Sequence, residues 1–89
     1  MTLSVVEFAD GLLLTEADLG MSPDDANTEA VIAAVMRMGE EDGVKFEGRG
    51  RETEGGNFHL GGADIFCWEP GESDDEGNDA VLIELVEDD

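Results

Sequence analysis

The 89-residue chain has one cysteine, Cys67, and one histidine, His59. A lone cysteine excludes an internal disulfide, and together the two fall short of any standard zinc ligand set. They suit a reducing compartment. Basic residues are scarce: Lys and Arg number 4 against 24 Asp and Glu, a formal net charge of −20. No apolar run approaches the ~20 residues of a membrane-spanning helix. The N-terminus also lacks the basic region that opens a signal peptide. A cytoplasmic location is the expectation.

What is present describes a folded chain. Hydrophobic residues at 40% and charged residues at 31% are the proportions of a globular protein rather than a wholly disordered one. The length suits one domain, residues 1–89, with a modest core. A domain of this length has a radius of gyration of about 12 Å and a diameter of roughly 30 Å. Duplex DNA of that length carries on the order of 18 phosphate charges, a density comparable to this protein's own. Such a surface is repelled by nucleic acid and anionic membranes and attracted to basic surfaces.

The clearest element is a helix over Ser22 to Met38, with Ser22 as N-cap, Pro23 in the first position and Asp25 where a capping-box acid belongs. At 100° per residue, Ala30, Val31, Ala34, Val35 and Met38 share one apolar stripe, opposite Glu29, Ala33, Arg37 and Glu40. Gly39 or Gly43 can end the helix, where Arg37 can pair with Glu40 and Glu41. Before it, Thr2 to Ala9 alternates like a strand, Asp10-Gly11 suits a type I′ turn, and Leu12 to Thr15 can return as its partner. After it, Val44 to Arg51 alternates strictly, with Lys45, Arg49 and Arg51 on one face. Thr53 to Asn57 reads as a turn, Phe58 to Leu60 as a short strand, and Gly61-Gly62 as another turn. Ala63 to Trp68, bulky on both faces, reads as a central strand. Glu69 to Asp79 is expected to be a mobile acidic loop, Ala80 to Val86 a last strand, and Glu87 to Asp89 an acidic tail. The expected fold is therefore α+β, one helix packed on a mainly antiparallel sheet of about five or six short strands in the order ββαββββ.

The sequence holds no catalytic, cofactor or metal motif. Asp74 to Asp79 is oxygen-rich, but lacks the acid spacing and flanking helices of an EF-hand. Cys67 and His59 lie on expected strands with no third orienting group, which fits a small buried hydrophobe and an edge residue better than a nucleophile and its base. The glycines form neither a dinucleotide-binding nor a P-loop pattern. Lys45, Arg49 and Arg51 sit among so many acids that carboxylate pairing is the simpler role for them. No enzyme activity and no cofactor are expected.

Two origins for the acidity remain. In charge and size the chain resembles the DNA-mimic inhibitors of phages and mobile elements, including anti-restriction and anti-CRISPR proteins. That resemblance implies a protein-interaction module occupying the basic nucleic-acid-binding surface of a partner, for example in a host defence nuclease complex. It implies no direct contact with nucleic acid or membrane. The residues expected to stand in for phosphates are Glu69, Glu72, Asp74, Asp75, Glu76 and Asp79, with Glu87, Asp88 and Asp89 as a second row and Trp68 as an apolar anchor. The alternative is a cytoplasmic α+β domain adapted to saturating salt, which a single lysine also fits. A decoy concentrates its acids on one face, whereas salt adaptation spreads them.

Overall fold

The computed structural model describes residues 4–44, 46, 51–53, 56–60 and 65–86, with only the backbone of Arg51. The elements run α1 (Val5–Ala9), β1 (Leu12–Thr15), α2 (Glu16–Leu19), a 3₁₀ turn (Pro23–Asp25), α3 (Thr28–Glu41), β2 (Arg51–Glu52), β3 (Phe58–His59), β4 (Ile65–Ser73) and β5 (Asp79–Leu85). The class is α+β and the sheet is antiparallel, in spatial order β1-β5-β4-β3-β2. The radius of gyration is 12.2 Å. No helix among the described residues is long and apolar enough to cross a membrane.

The expected series ββαββββ, with its single helix, is corrected first at the N-terminus. Val5 to Ala9 is helical because Ser4 and Glu7 form a capping box. The Ser4 hydroxyl accepts from the Glu7 N–H at 3.1 Å, and the Glu7 carboxylate accepts from the Ser4 N–H at 3.5 Å. This reciprocal pair satisfies two donors that a helix start otherwise leaves open. The Asp10-Gly11 turn is accordingly not type I′: Asp10 is extended at φ −72° and only Gly11 has positive φ, at 82°. Type I′ needs positive φ at both positions. The partner of β1 is β5, with Leu12 opposite Ile83 and Leu14 opposite Val81. Asp10 fastens this corner, its carboxylate accepting from the Leu85 N–H at 3.0 Å while the Gly11 N–H donates to the Ile83 carbonyl at 2.7 Å.

The central helix starts later than expected. Ser22 and Pro23 open the 3₁₀ turn, where the Ser22 hydroxyl accepts from the Asp24 N–H at 3.3 Å. Asn27 caps α3 by accepting from the Ala30 N–H at 2.9 Å. The α3 face turned to the sheet is Thr28, Val31, Ile32, Ala34, Val35 and Gly39. It is rotated from the expected stripe because Trp68 reaches Thr28 and Phe46 lies over Gly39. At the C-terminus Gly43 takes φ 82°. The Val44 N–H then reaches the Gly39 carbonyl at 2.7 Å and the Gly43 N–H that of Glu40 at 3.2 Å, the paired bonds of a Schellman motif. Arg37 donates to the Asp18 carbonyl, tying α3 to α2.

Of the expected strand over 44–51, Val44 and Phe46 lie outside any strand and Arg51 belongs to β2 (Arg51–Glu52). Lys45, residues 47–50 and the Gly61-Gly62 turn lie outside the described residues. The expected loop over 69–79 is also corrected: β4 continues to Ser73 and pairs with β5 along its length. One extra residue is accommodated between Glu69 and Glu72, at Pro70-Gly71. Proline has no N–H for the ladder, so a bulge is where a paired strand tolerates it.

One face of the sheet carries the core. Leu14, Val81, Ile83, Phe66 and Phe58 are fully buried there and pack with Val31, Ile32 and Val35 of α3, and with Ala9 and Leu19. The Phe58 and Phe66 rings, opposite each other on β3 and β4, stack with centroids 6.1 Å apart.

Candidate acidic interface

The β4–β5 hairpin ends in a turn organised by Asp74. One carboxylate oxygen, Oδ1, accepts from the Glu76 N–H at 2.9 Å and the Asn78 N–H at 2.8 Å, while Oδ2 accepts from the Asn78 amide at 3.1 Å. The Asp74 N–H donates to the Asn78 carbonyl at 3.0 Å, and the Gly77 N–H to that of Asp74 at 3.1 Å. The Asn78 donors, backbone first and then side chain, hold the Asp74 carboxyl below the usual carboxylate range, because hydrogen bonds to the ionised form favour it.

This changes the expected site. Asp74, expected among the phosphate stand-ins, commits its oxygens to the turn and braces the others. Glu69, Glu72, Asp75, Glu76 and Asp79 are exposed on that braced hairpin. Glu87, Asp88 and Asp89 lie outside the described residues.

Tertiary structure brings further acids to the same end. Thr15 pairs with Ala80, which sets Glu16 at the start of α2 beside Asp79. Thr15, Glu16, Ala17, Ser22 and Pro23 line a groove of about 490 Å³ with Gly77, Asn78 and Asp79. Asp24 and Asp25, exposed on the 3₁₀ turn, follow directly from that rim. The start of α2 is fixed by Asp18, whose carboxylate accepts from the Thr15 N–H at 3.1 Å and the Thr15 hydroxyl at 3.2 Å. The groove sets Glu16 beside Asp79, and the 3₁₀ turn carrying Asp24 and Asp25 packs against β4 and β5, so that with Glu72, Asp75 and Glu76 these acids form one acidic pole. Sequence reasoning missed them because they belong to other elements. The one available signal was the T-x-x-D pattern marking a helix start after Thr15.

Trp68 is engaged within the fold. Its indole N–H donates to the Thr28 hydroxyl at 2.9 Å, and its ring packs against the core. Thr28 is only 7% exposed, so this bond gives a buried hydroxyl its partner.

Cys67 is half-buried on the sheet face opposite the core, across from Glu84. Burial raises its thiol pKa, and the charges of Glu84 and Glu69 raise it further, the reverse of what activates a nucleophile. His59 stands opposite Ile65 rather than Cys67, and its Nδ1 is buried without a hydrogen-bond partner among the described residues. Among the described residues no group of three or more His, Cys, Asp or Glu is placed to hold a metal ion. The shared face expected for Lys45, Arg49 and Arg51 lies outside the described side chains.

No protein-family model matches this chain, and neither a curated protein nor a solved structure is significantly similar to it.

Proposed function

We propose that this protein is an acidic interaction module whose hairpin pole occupies the basic, polyanion-binding surface of a partner protein, standing in for nucleic acid. The observation that supports this reading is the convergence of Glu16, Asp24 and Asp25 with Glu72, Asp75, Glu76 and Asp79 around a hydrogen-bonded hairpin. A surface built to receive a polyanion already has the complementary field, so carboxylates held on a braced scaffold gain fast association without base-like chemistry. Bracing matters because a mobile loop would lose conformational entropy on binding. A nuclease of a host defence system is the partner class whose groove has this character.

The test is capture from cell lysate at low salt, followed by elution with duplex DNA and, separately, with high salt. A variant in which the pole acids become Asn and Gln, with Asp74 kept to preserve the turn, should lose the partner. Retention of the same partner by that variant, or indifference to DNA, would end this reading.

A second reading, adaptation to high salt, is favoured by the exposed acids on the remaining elements: Glu7, Glu29, Glu40, Glu41 and Glu52. It requires that the native state depend on molar salt. Under the first reading moderate salt suffices, because screening already operates over about 8–10 Å at physiological ionic strength.

A further inference from the structure

The face of the sheet away from α3 has a composition that a solvent-facing sheet does not need. An antiparallel sheet covered on one side normally shows polar residues on the other. Here the cross-strand pair Leu13 and Leu82 occupies one end of that face, and Ile65 and Val86, joined by the bond from the Val86 N–H to the Ile65 carbonyl at 2.8 Å, occupy the other. All four side chains are half-buried, and none belongs to the core or packs against it. Midway between the two apolar ends stands Glu84, opposite Cys67, while Glu69 flanks the first end in the same row as Leu82; both glutamates are exposed. Ala80 shares this face but is fully buried. Along β5 the face therefore reads apolar, acidic, apolar, through Leu82, Glu84 and Val86.

The spacing identifies what would fit. Leu82 and Val86 are four residues apart on or just after β5, about 13 Å at the strand rise. On an α-helix, side chains at i and i+7 are about 10.5 Å apart and those at i and i+8 about 12 Å, while i+3 and i+4 lie between them on the same side. A helix about 10 Å wide covers two strand spacings of ~4.8 Å. A second copy of this chain is disfavoured, since it would bring another charge of −20 and a second pair of carboxylates against the first.

We propose that this sheet face docks an amphipathic helix of a partner protein, with apolar residues seven or eight apart seated on Leu13/Leu82 and Ile65/Val86 and a Lys or Arg between them facing Glu84, diagonal to Glu69. The surface goes beyond the acidic pole and does not depend on it. The carboxylates select the sign of the partner's charge, and the two apolar ends supply the desolvated contacts that the pole lacks. The proximity of both glutamates to the central thiol agrees with a shared negative field at the middle of the face.

Cys67, the sole cysteine, reports occupancy without mutation. The probe is an alanine-based helical peptide with leucines seven residues apart and arginines three and four positions after the first. The control has glutamates in place of the arginines. The arginine peptide should slow alkylation of Cys67 in the whole protein at least threefold, saturating at one peptide per chain, and the glutamate peptide should not. In E69Q/E84Q protein, the ratio of rates with and without the arginine peptide should return to one, with retained folding checked by circular dichroism. Equal protection by both peptides, or none at millimolar peptide, overturns the proposal. So does protection that rises with protein concentration alone, which would make the face a self-association surface. Failure here alongside DNA-competed partner capture overturns only this surface, and the converse result overturns only the reading of the pole.

Discussion

Replacing Gly39 by alanine should destabilise the protein even though alanine is the better helix former. Gly39 is buried in the last turn of α3, where a Cβ would lie 2.6 Å from Cζ and 2.8 Å from Cε2 of Phe46 and 3.3 Å from Cβ of Val44. Intrinsic propensity favours alanine by about 1 kcal/mol. Carbon atoms in good contact stand ~3.5–4.0 Å apart, so the Phe46 ring must withdraw by roughly 1 Å. Val44 has little room to follow, being 5% exposed and bonded through its N–H to the Gly39 carbonyl. Overpacking costs about 1–3 kcal/mol; the middle of that range less the ~1 kcal/mol propensity gain leaves a net loss of about 1 kcal/mol. In a domain of this size that lowers Tm by roughly 4–8 °C. The assay is thermal unfolding followed by circular dichroism for wild type, G39A, F46L and G39A/F46L. Leucine lacks the far ring atoms, so in the F46L background the alanine should be neutral or stabilising. A higher Tm for G39A alone, or the same change in both backgrounds, would refute the packing account.

Thr28→Val removes the acceptor of the Trp68 indole N–H and should cost about 1 kcal/mol, seen as a lower urea midpoint followed by fluorescence of the single tryptophan. An unchanged midpoint would mean that bond contributes nothing. The folded-state pKa of Asp74 is depressed, so its contribution is fully present above the unfolded carboxylate pKa and is lost as pH falls through the folded value. The urea midpoint of wild type should therefore exceed that of Asp74→Asn near neutrality, and the gap should close below about pH 4. A gap independent of pH would contradict this. The Cys67 thiol, raised first by burial and then by Glu84 and Glu69, should alkylate more slowly at pH 8 than the same thiol in urea, and Glu84→Gln should speed the folded protein. No acceleration would remove the glutamate from the explanation.

Local signals in the sequence determined a good part of this protein. The exposed helix face of Glu29, Ala33, Arg37 and Glu40 and buried Val31, Ala34 and Val35 follow from periodicity, which depends only on neighbours along the chain, and the β1 segment is where local turn and strand signals place it. The helix at Val5 to Ala9 was also legible, in the S-x-x-E spacing of Ser4 and Glu7, but adjacent valines and partial alternation mimic a strand there. Tertiary structure decided the rest. Residues 69–79 lack apolar residues other than Pro70, so composition suggests a loop. They are ordered because β5 offers a pairing partner and Asp74 closes the turn with side-chain bonds. Trp68 is tied to Thr28, 40 residues away in sequence, by a bond that no local pattern announces. Strand pairing likewise sorted Leu13, Ile65 and Leu82 onto the face away from α3, and packing set Glu16 and the turn carrying Asp24 and Asp25 beside the hairpin. A residue's own neighbours carry its periodicity and its caps, but which surface it faces depends on contacts between distant segments that only the folded chain brings together.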